Sequence, residues 1–158
     1  MDRNLFNNKR VALVGPSPHI LGKNLGKFID SFDTVVRVNE IGVINNLYKD
    51  YGSRTDVAFL SLSEQAVPFY KEMIKNVKHD QLKVIVHPRD KNNYNPVNNQ
   101  KTESVRFYFD LLDLDKDYYQ IDNPTIFETT KLFGCFPSTR SLTILELLNY
   151  DFKELYIC

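Results

Sequence analysis

Short and nearly continuous apolar runs recur along the chain, and they restrict its fold more than any other feature of the sequence. The runs VALV, TVVRV, VAFL and KVIV are rich in valine and contain few polar residues. Such runs are typical of central parallel strands, which are buried on both faces. Segments with helical spacing of apolar residues lie between them. This order predicts a single α/β domain with a mostly parallel sheet and helices on both faces.

The expected boundaries follow from these runs and from the residues between them. Strands are predicted at residues 10–14, 34–39, 57–60, 82–86 and 154–157, with a weaker one at 125–127. Helices are predicted at residues 21–32, 64–76, 103–112 and 138–148, and a loop rich in Asn and Pro at 88–101. Pro68 either interrupts the second helix or marks its start.

Length, charge and hydropathy exclude several classes of protein. The 158 residues fit one domain over residues 1–158. Lys+Arg and Asp+Glu both number 20, so the chain lacks the basic field of a nucleic-acid-binding protein. No run approaches the roughly 20 apolar residues of a membrane span, and the polar start MDRNLFNNKR has no apolar signal core. We expect no nucleic-acid partner and no membrane segment in this chain.

The two cysteines, Cys135 and Cys158, do not have the spacing of metal ligands. We expect two reduced thiols and neither a metal nor a cofactor. A single bridge between them stays open for an oxidising compartment.

The first strand ends in the turn Gly15-Pro16-Ser17-Pro18. Ligands of open parallel sheets bind beyond the carboxyl ends of the strands. Gly15 permits close approach, Ser17 offers a hydroxyl, and the N-terminus of the expected next helix favours phosphate. The turn is neither GxGxxG nor a P-loop, so NAD and ATP are not indicated. The residues alone leave open a generic nucleotide site or a tight structural turn.

Two polar residues of the second strand need an explanation. Asn39 ends that strand on the same edge of the sheet, where it can bind a nucleotide or tie down the next loop. Arg37 lies inside the apolar run and requires a partner. Asp30, Asp33 and Asp56 are candidates, and a structural ion pair is favoured over a ligand contact.

The sequence Pro137-Ser138-Thr139 precedes the last predicted helix. Ser138 or Thr139 is a natural N-cap. The same pair at a helix N-terminus can form a second anion-binding edge, and the spacing does not separate these two roles.

These segments together resemble the eukaryotic-type sialyltransferases, glycosyltransferase family 29. The stretches IDSFDTVVRVN and DYGSRTD within residues 11–55 look like the large sialylmotif of that family. PST, an apolar helix and a strand ending in Tyr, within residues 137–157, look like the small one. The resemblance implies a Rossmann-like (GT-A-variant) domain that binds CMP-sialic acid. It also implies an inverting, metal-independent transfer of sialic acid to a glycan hydroxyl.

The resemblance further implies which residues contact the donor. It places seven residues around the CMP moiety: Gly15, Pro16, Ser17, Asn39, Ser138, Thr139 and Arg140. Backbone amides at helix N-termini can stabilise the charge that develops on the departing phosphate.

The chain departs from the family pattern within both motifs. Pro16 stands where the family usually has Asn, and Arg140 stands where it usually has Gly; Arg140 can itself pair with the phosphate or the sialic carboxylate. The disulfide that commonly joins the motifs is absent, since its positions are Val11 and about Tyr150. A microbial or viral member that folds in a reducing compartment would have this pattern. We expect the cytoplasm or host-cell cytoplasm, or a Golgi-type lumen if an anchor was removed.

The general base of the family is a His that lies beyond the small motif. His19, His79 and His87 do not match that position, so no catalytic residue is assigned and the domain is expected to be C-terminally incomplete. A non-catalytic CMP- or nucleotide-binding module of the same fold is the alternative. A different α/β transferase, such as a bacterial-type sialyltransferase, is a third interpretation.

Overall fold

A computed structural model describes residues 2–40, 47–61, 67–74, 82–86, 110, 112, 118–121, 123–135 and 137–158. The strands are β1 Arg10–Val14, β2 Thr34–Val38, β3 Val57–Leu60, β4 Lys83–Val86, β5 Tyr118–Gln120 and β6 Glu154–Ile157. The helices are α1 Gly26–Asp30, α2 Tyr48–Tyr51, α3 Val67–Ile74, α4 Asn123–Phe133 and α5 Thr139–Leu147, with short 3₁₀ helices at Arg3–Leu5 and Pro18–Ile20.

The described strands form one parallel sheet in the order β5-β4-β3-β2-β1-β6. Successive strands step outward from β1 to β5, and β6 then pairs with the other side of β1. The direction of the strand order therefore reverses between β1 and β6. Ligands of open α/β sheets bind at such a point, in the crevice beyond the carboxyl ends of the strands.

Alternate residues of β1 point to two separate apolar cores. Val11 and Leu13 pack with residues of α4 and α5 on one face of the sheet. Ala12 and Val14 pack on the other face with Ile29 of α1. The predicted α/β architecture, with a parallel sheet and helices on both faces, is confirmed.

The predicted helix over residues 21–32 is wrong, because only Gly26–Asp30 is α-helical. Gly22 and Asn24 have φ angles of 76° and 55°, which an α-helix does not allow. The Asp50 carboxylate accepts hydrogen bonds from the backbone N–H groups of both residues, at 2.9 and 2.7 Å. A contact from elsewhere in the chain thus stabilises this loop against continued helix.

Other boundaries were predicted with mixed success. The weak strand at 125–127 is wrong, since these residues lie inside α4, and β5 at Tyr118–Gln120 was missed. Pro68 lies near the beginning of α3 as described, and residues 64–66 of the predicted helix lie outside the described residues. Ser138 caps α5, as one of the two alternatives predicted. The loop at 88–101 and most of the helix at 103–112 lie outside the described residues.

Candidate functional site

The turn after β1 lies at the reversal point of the sheet. The Gly15 N–H donates to the Cys158 carbonyl at 2.9 Å, which extends the pairing of β1 with β6 by one step. The Ser17 N–H then donates to the Gly15 carbonyl at 2.8 Å and closes a tight turn. Gly15 is buried, whereas Pro16 is exposed. The chain therefore changes direction where a ligand of this fold is expected.

Arg140 lies directly over Gly15. A Cβ atom added to Gly15 would lie 2.5 Å from Nη2 of Arg140 and 3.1 Å from Cζ. Because glycine has no Cβ, the guanidinium can pack against the backbone there. Within the part of the chain that the structure describes, Arg140 has no hydrogen bond or ion pair, and its side chain is exposed. The structure thus joins the two sequence motifs at one unpaired cation.

The first turn of α5 positions Arg140. The Ser138 hydroxyl accepts a hydrogen bond from the Ser141 N–H at 3.1 Å and caps the helix. Thr139 is buried, and its carbonyl accepts from the Thr143 hydroxyl at 2.8 Å. These contacts place the positive end of a nine-residue helix beside the guanidinium.

The turn after β1 differs from its prediction in one important respect. No α-helix begins there, since the described residues Pro18–Ile20 form a 3₁₀ turn. The Ser17 hydroxyl accepts from the His19 N–H at 3.4 Å, and the Ser17 carbonyl accepts from the Tyr51 hydroxyl at 2.6 Å. The expected amides of a following α-helix are therefore absent from this turn, and α5 provides the nearby helix N-terminus instead.

Asn39 ties the end of β2 to the end of β3, and the loop that it was expected to hold, residues 41–46, lies outside the described residues. Its φ angle of 55° ends the strand, and its backbone N–H donates to the Phe59 carbonyl at 2.7 Å. Its side-chain oxygen accepts from the Ser61 N–H at 3.0 Å. Among the described residues, the side-chain amide nitrogen of Asn39 has no bonding partner and remains available to a ligand.

Arg37 is completely buried, and its partners differ from the predicted aspartates. Its Nε donates to the Thr55 hydroxyl at 2.9 Å and to the Arg54 carbonyl at 3.1 Å. Its Nη2 donates to the carbonyls of Tyr51 and Gly52 at 2.9 and 3.2 Å. The structural role is confirmed, but carbonyl and hydroxyl oxygens of the loop before β3 supply most of it.

The carboxylate nearest to Arg37 belongs to Glu40. The Nη1 atom of Arg37 lies 4.0 Å from Oε2 of Glu40 and is the one buried side-chain polar atom, among those described, without a hydrogen bond. Burial lowers the pKa of Arg37 from its ordinary value, and the Glu40 charge opposes this. Burial likewise raises the pKa of Glu40, against the opposing charge of Arg37. Glu40 thus carries a partly desolvated charge whose main attraction is a buried cation.

The three aspartates proposed as partners of Arg37 hold other parts of the fold. Asp30 accepts from the N–H groups of Ser53 and Arg54, at 2.8 and 3.0 Å. Asp56 pairs with the Arg54 guanidinium at 2.8 Å, and Asp33 accepts from the Arg10 N–H at 2.8 Å. Much of the conspicuous polar sequence before β3 is therefore scaffold.

A pocket of about 250 Å³ opens beside the turn after β1. Its lining residues are Pro16, Pro18, Leu21, Glu40, Leu47, Tyr51 and Met73. Sequence reasoning missed Glu40 and Tyr51 as lining residues. The signal for both was their position, since Glu40 follows Asn39 directly and Tyr51 belongs to the stretch DYGSRTD.

The structure also bears on the cysteines, the histidines and the expected lack of a metal site and a membrane span. Cys135 and Cys158 are both free thiols. The described residues contain no group of three or more His, Cys, Asp or Glu side chains suited to a metal ion. In the same part of the chain, every helix is too short or too polar to cross a membrane. His19 is exposed, while His79 and His87 lie outside the described residues.

Comparison with known structures supports this description of the fold. A mammalian sialyltransferase solved in complex with Gal-beta-1-3GalNAc-ortho-nitrophenol superposes with a TM-score of 0.54. The match covers 98% of this chain and 57% of that chain at 19% sequence identity, so it bears on the fold alone.

Comparison of sequences leads to the family. The CMP-N-acetylneuraminate-beta-galactosamide-alpha-2,3-sialyltransferases 2 of Mus musculus and Rattus norvegicus are each 28% identical to the chain over 150 residues. These matches cover 89% of the chain, which spans only 40% of the length of either relative. The model of glycosyltransferase family 29 (sialyltransferase) matches residues 5–135. Since this range is most of the sequence, the chain belongs to glycosyltransferase family 29.

Proposed function

We propose that this chain forms the donor-binding part of a sialyltransferase that takes sialic acid from CMP-sialic acid. The observation that carries the proposal is the contact between Arg140 and Gly15, which joins both motifs at the reversal point of the sheet. The names of the mouse and rat relatives include CMP-N-acetylneuraminate, which supports this donor. A hydroxyl of a glycan is the proposed acceptor.

The geometry suits an anionic leaving group. In the proposed transfer, the bond between the anomeric carbon and the CMP phosphate oxygen breaks, and both bonding electrons stay with CMP. The acceptor oxygen attacks the opposite face of that carbon, so the configuration inverts. The Arg140 guanidinium and the N-terminus of α5 supply positive charge that stabilises the departing phosphate without a metal.

The other proposed donor contacts surround the same point. Gly15, Pro16 and Ser17 form the turn, and Ser138 and Thr139 fix the helix that carries Arg140. Asn39 contributes its side-chain amide nitrogen, because its oxygen is already bonded to the Ser61 N–H. The acceptor oxygen must lose a proton during the transfer, and no described residue is assigned as the base.

Calorimetric titration of the chain with CMP tests this proposal, with NAD and GDP as control ligands. We expect binding of CMP alone, and a roughly tenfold weaker affinity in Arg140→Ala because a charge-assisted contact is lost. Lys131→Ala is the matched control, since it removes an exposed cation from α4. A folded sample that binds no CMP, or one that loses affinity equally in both variants, contradicts the proposal.

Turnover separates the transferase from the non-catalytic alternative. CMP-sialic acid is incubated with the chain and a galactose-containing acceptor, and both sialylated acceptor and free CMP are measured. Equal amounts of the two products support transfer. Binding of CMP without either product instead favours a nucleotide-binding module of the same fold.

A further inference from the structure

The pocket beside Pro16 has a mostly apolar lining that suits the two faces of a flat ring. Apolar surface comes from Pro16, Pro18 and Leu21, and the aromatic ring of Tyr51 also lines the pocket. The Tyr51 hydroxyl is occupied, since it donates to the Ser17 carbonyl at 2.6 Å. A volume of about 250 Å³ is below the usual range for a whole drug-sized ligand, so the pocket fits one ring of a larger molecule.

Among the described residues that line the pocket, Glu40 is the single charged one. Its carboxylate can only accept hydrogen bonds when ionised, so the ring it prefers must present N–H donors. Burial raises the pKa of Glu40, and the buried guanidinium of Arg37, with Nη1 4.0 Å from Oε2, opposes this and favours the ionised form. That Nη1 atom has no hydrogen bond within the described structure, so the Glu40 carboxylate is the nearest group that balances its positive charge.

The pocket also adjoins the proposed phosphate contact. Gly15 lies under the Arg140 guanidinium, and the next residue, Pro16, lines the pocket. A single ligand with an anionic group and a ring can therefore reach both places. A pyrimidine nucleotide has these two parts in one molecule.

We propose that the pocket takes the cytosine ring of the donor and that Glu40 accepts a hydrogen bond from its exocyclic amino group. This inference rests on the proposed function and adds a residue that selects the base. Carboxylates pair with the cytosine amino group in the same way when proteins read DNA. Uracil has a carbonyl oxygen at that position, and two acceptors facing each other repel. Glu40 thus selects cytosine nucleotides over uracil nucleotides.

The test compares the affinities of CMP, UMP and N4,N4-dimethyl-CMP by calorimetry. We expect the wild-type chain to bind CMP roughly tenfold more tightly than either of the other two, because both lack the N–H donor. In Glu40→Gln the preference for CMP over UMP should fall close to one, since an amide can present either a donor or an acceptor. Glu128→Gln, on the exposed face of α4, is the matched control and should keep the wild-type ratio.

The ratio of two affinities is insensitive to a general loss of folded protein, and the wild-type measurements need no variant at all. Equal wild-type affinities for CMP and UMP, or an unchanged ratio in Glu40→Gln, overturn the assignment of Glu40 while leaving the donor site intact. Should Glu40→Gln fail to fold, tight binding of the dimethylated nucleotide to the wild-type chain overturns it alone. Failure of all three nucleotides to bind removes the proposed function, and this inference with it.

Discussion

Two arginines on one edge of the sheet have opposite surroundings. Arg37 is fully buried, and its Nε and Nη2 atoms are bonded to four oxygens of residues 51–55. Arg140 is exposed and, within the described structure, has neither a hydrogen bond nor an ion pair. Both belong to stretches that resemble sialylmotifs. The difference shows that one motif arginine is scaffold, whereas the other is left unpaired at the surface, where we propose the donor contact.

The strongest test of this contrast removes each arginine in turn. Arg37→Met leaves three backbone carbonyls and Glu40 without their cation, so we expect about 3–5 kcal/mol less unfolding free energy. Arg140→Met should change it by no more than about 0.5 kcal/mol, because that side chain is exposed and unpaired. Urea unfolding followed by circular dichroism measures both. Similar losses in the two variants would break the comparison.

Gly26 and Gly15 also differ in how much a substitution should destabilise the fold, although by less than the two arginines. A Cβ at Gly26 would collide with the backbone carbonyl of Tyr48, where α1 packs against α2. Gly26→Ala should therefore cost about 1–3 kcal/mol of unfolding free energy. At Gly15 the atoms nearest to the added Cβ belong to the flexible end of Arg140, so Gly15→Ala should stay within about 0.5 kcal/mol. Thermal and urea unfolding check both values, and a larger loss at Gly15 would contradict this interpretation.

The affinity for CMP should reveal an effect of Gly15→Ala that the unfolding free energy does not show. Gly15→Ala displaces the Arg140 guanidinium, so it should weaken CMP binding by nearly as much as Arg140→Ala, roughly tenfold. The double variant should be little weaker than either single one, because both changes remove the same contact. Calorimetry at low and at physiological salt measures this coupling. Fully additive losses would show that the two residues act independently.

The pH dependence of stability reports on Glu40 and is the smallest expected effect. Burial raises its folded pKa above the ordinary value of 4.5, so between the two values the folded protein holds a proton that the unfolded chain releases. The unfolding free energy should therefore decrease as pH rises from about 4.5 through the folded pKa. Urea titrations over this range should show a flatter profile in Glu40→Gln than in Glu128→Gln. A profile in Glu40→Gln as steep as that of the control would exclude Glu40 as its source.

Local patterns predicted the elements that depend on local causes. The apolar runs located β1, β3 and β6, and the serine before the last helix located its N-cap. The helix expected at residues 21–32 failed because Asp50, far along the chain, accepts hydrogen bonds from the loop that replaces it. The partners of Arg37 were missed because every residue has a backbone carbonyl, so the sequence does not indicate which carbonyls accept its hydrogen bonds.

The sequence by itself determined the parallel α/β architecture and the edge of the sheet where a ligand is expected, because buried parallel strands require continuous apolar runs. It also contained the motifs that resemble the family. Only the tertiary structure decided that Arg140 lies on Gly15, that Glu40 faces both a pocket and the buried Arg37, and that the aspartates before β3 are scaffold. Each of these contacts joins residues whose distance depends on the packing of loops and helices on the sheet, which no local pattern specifies.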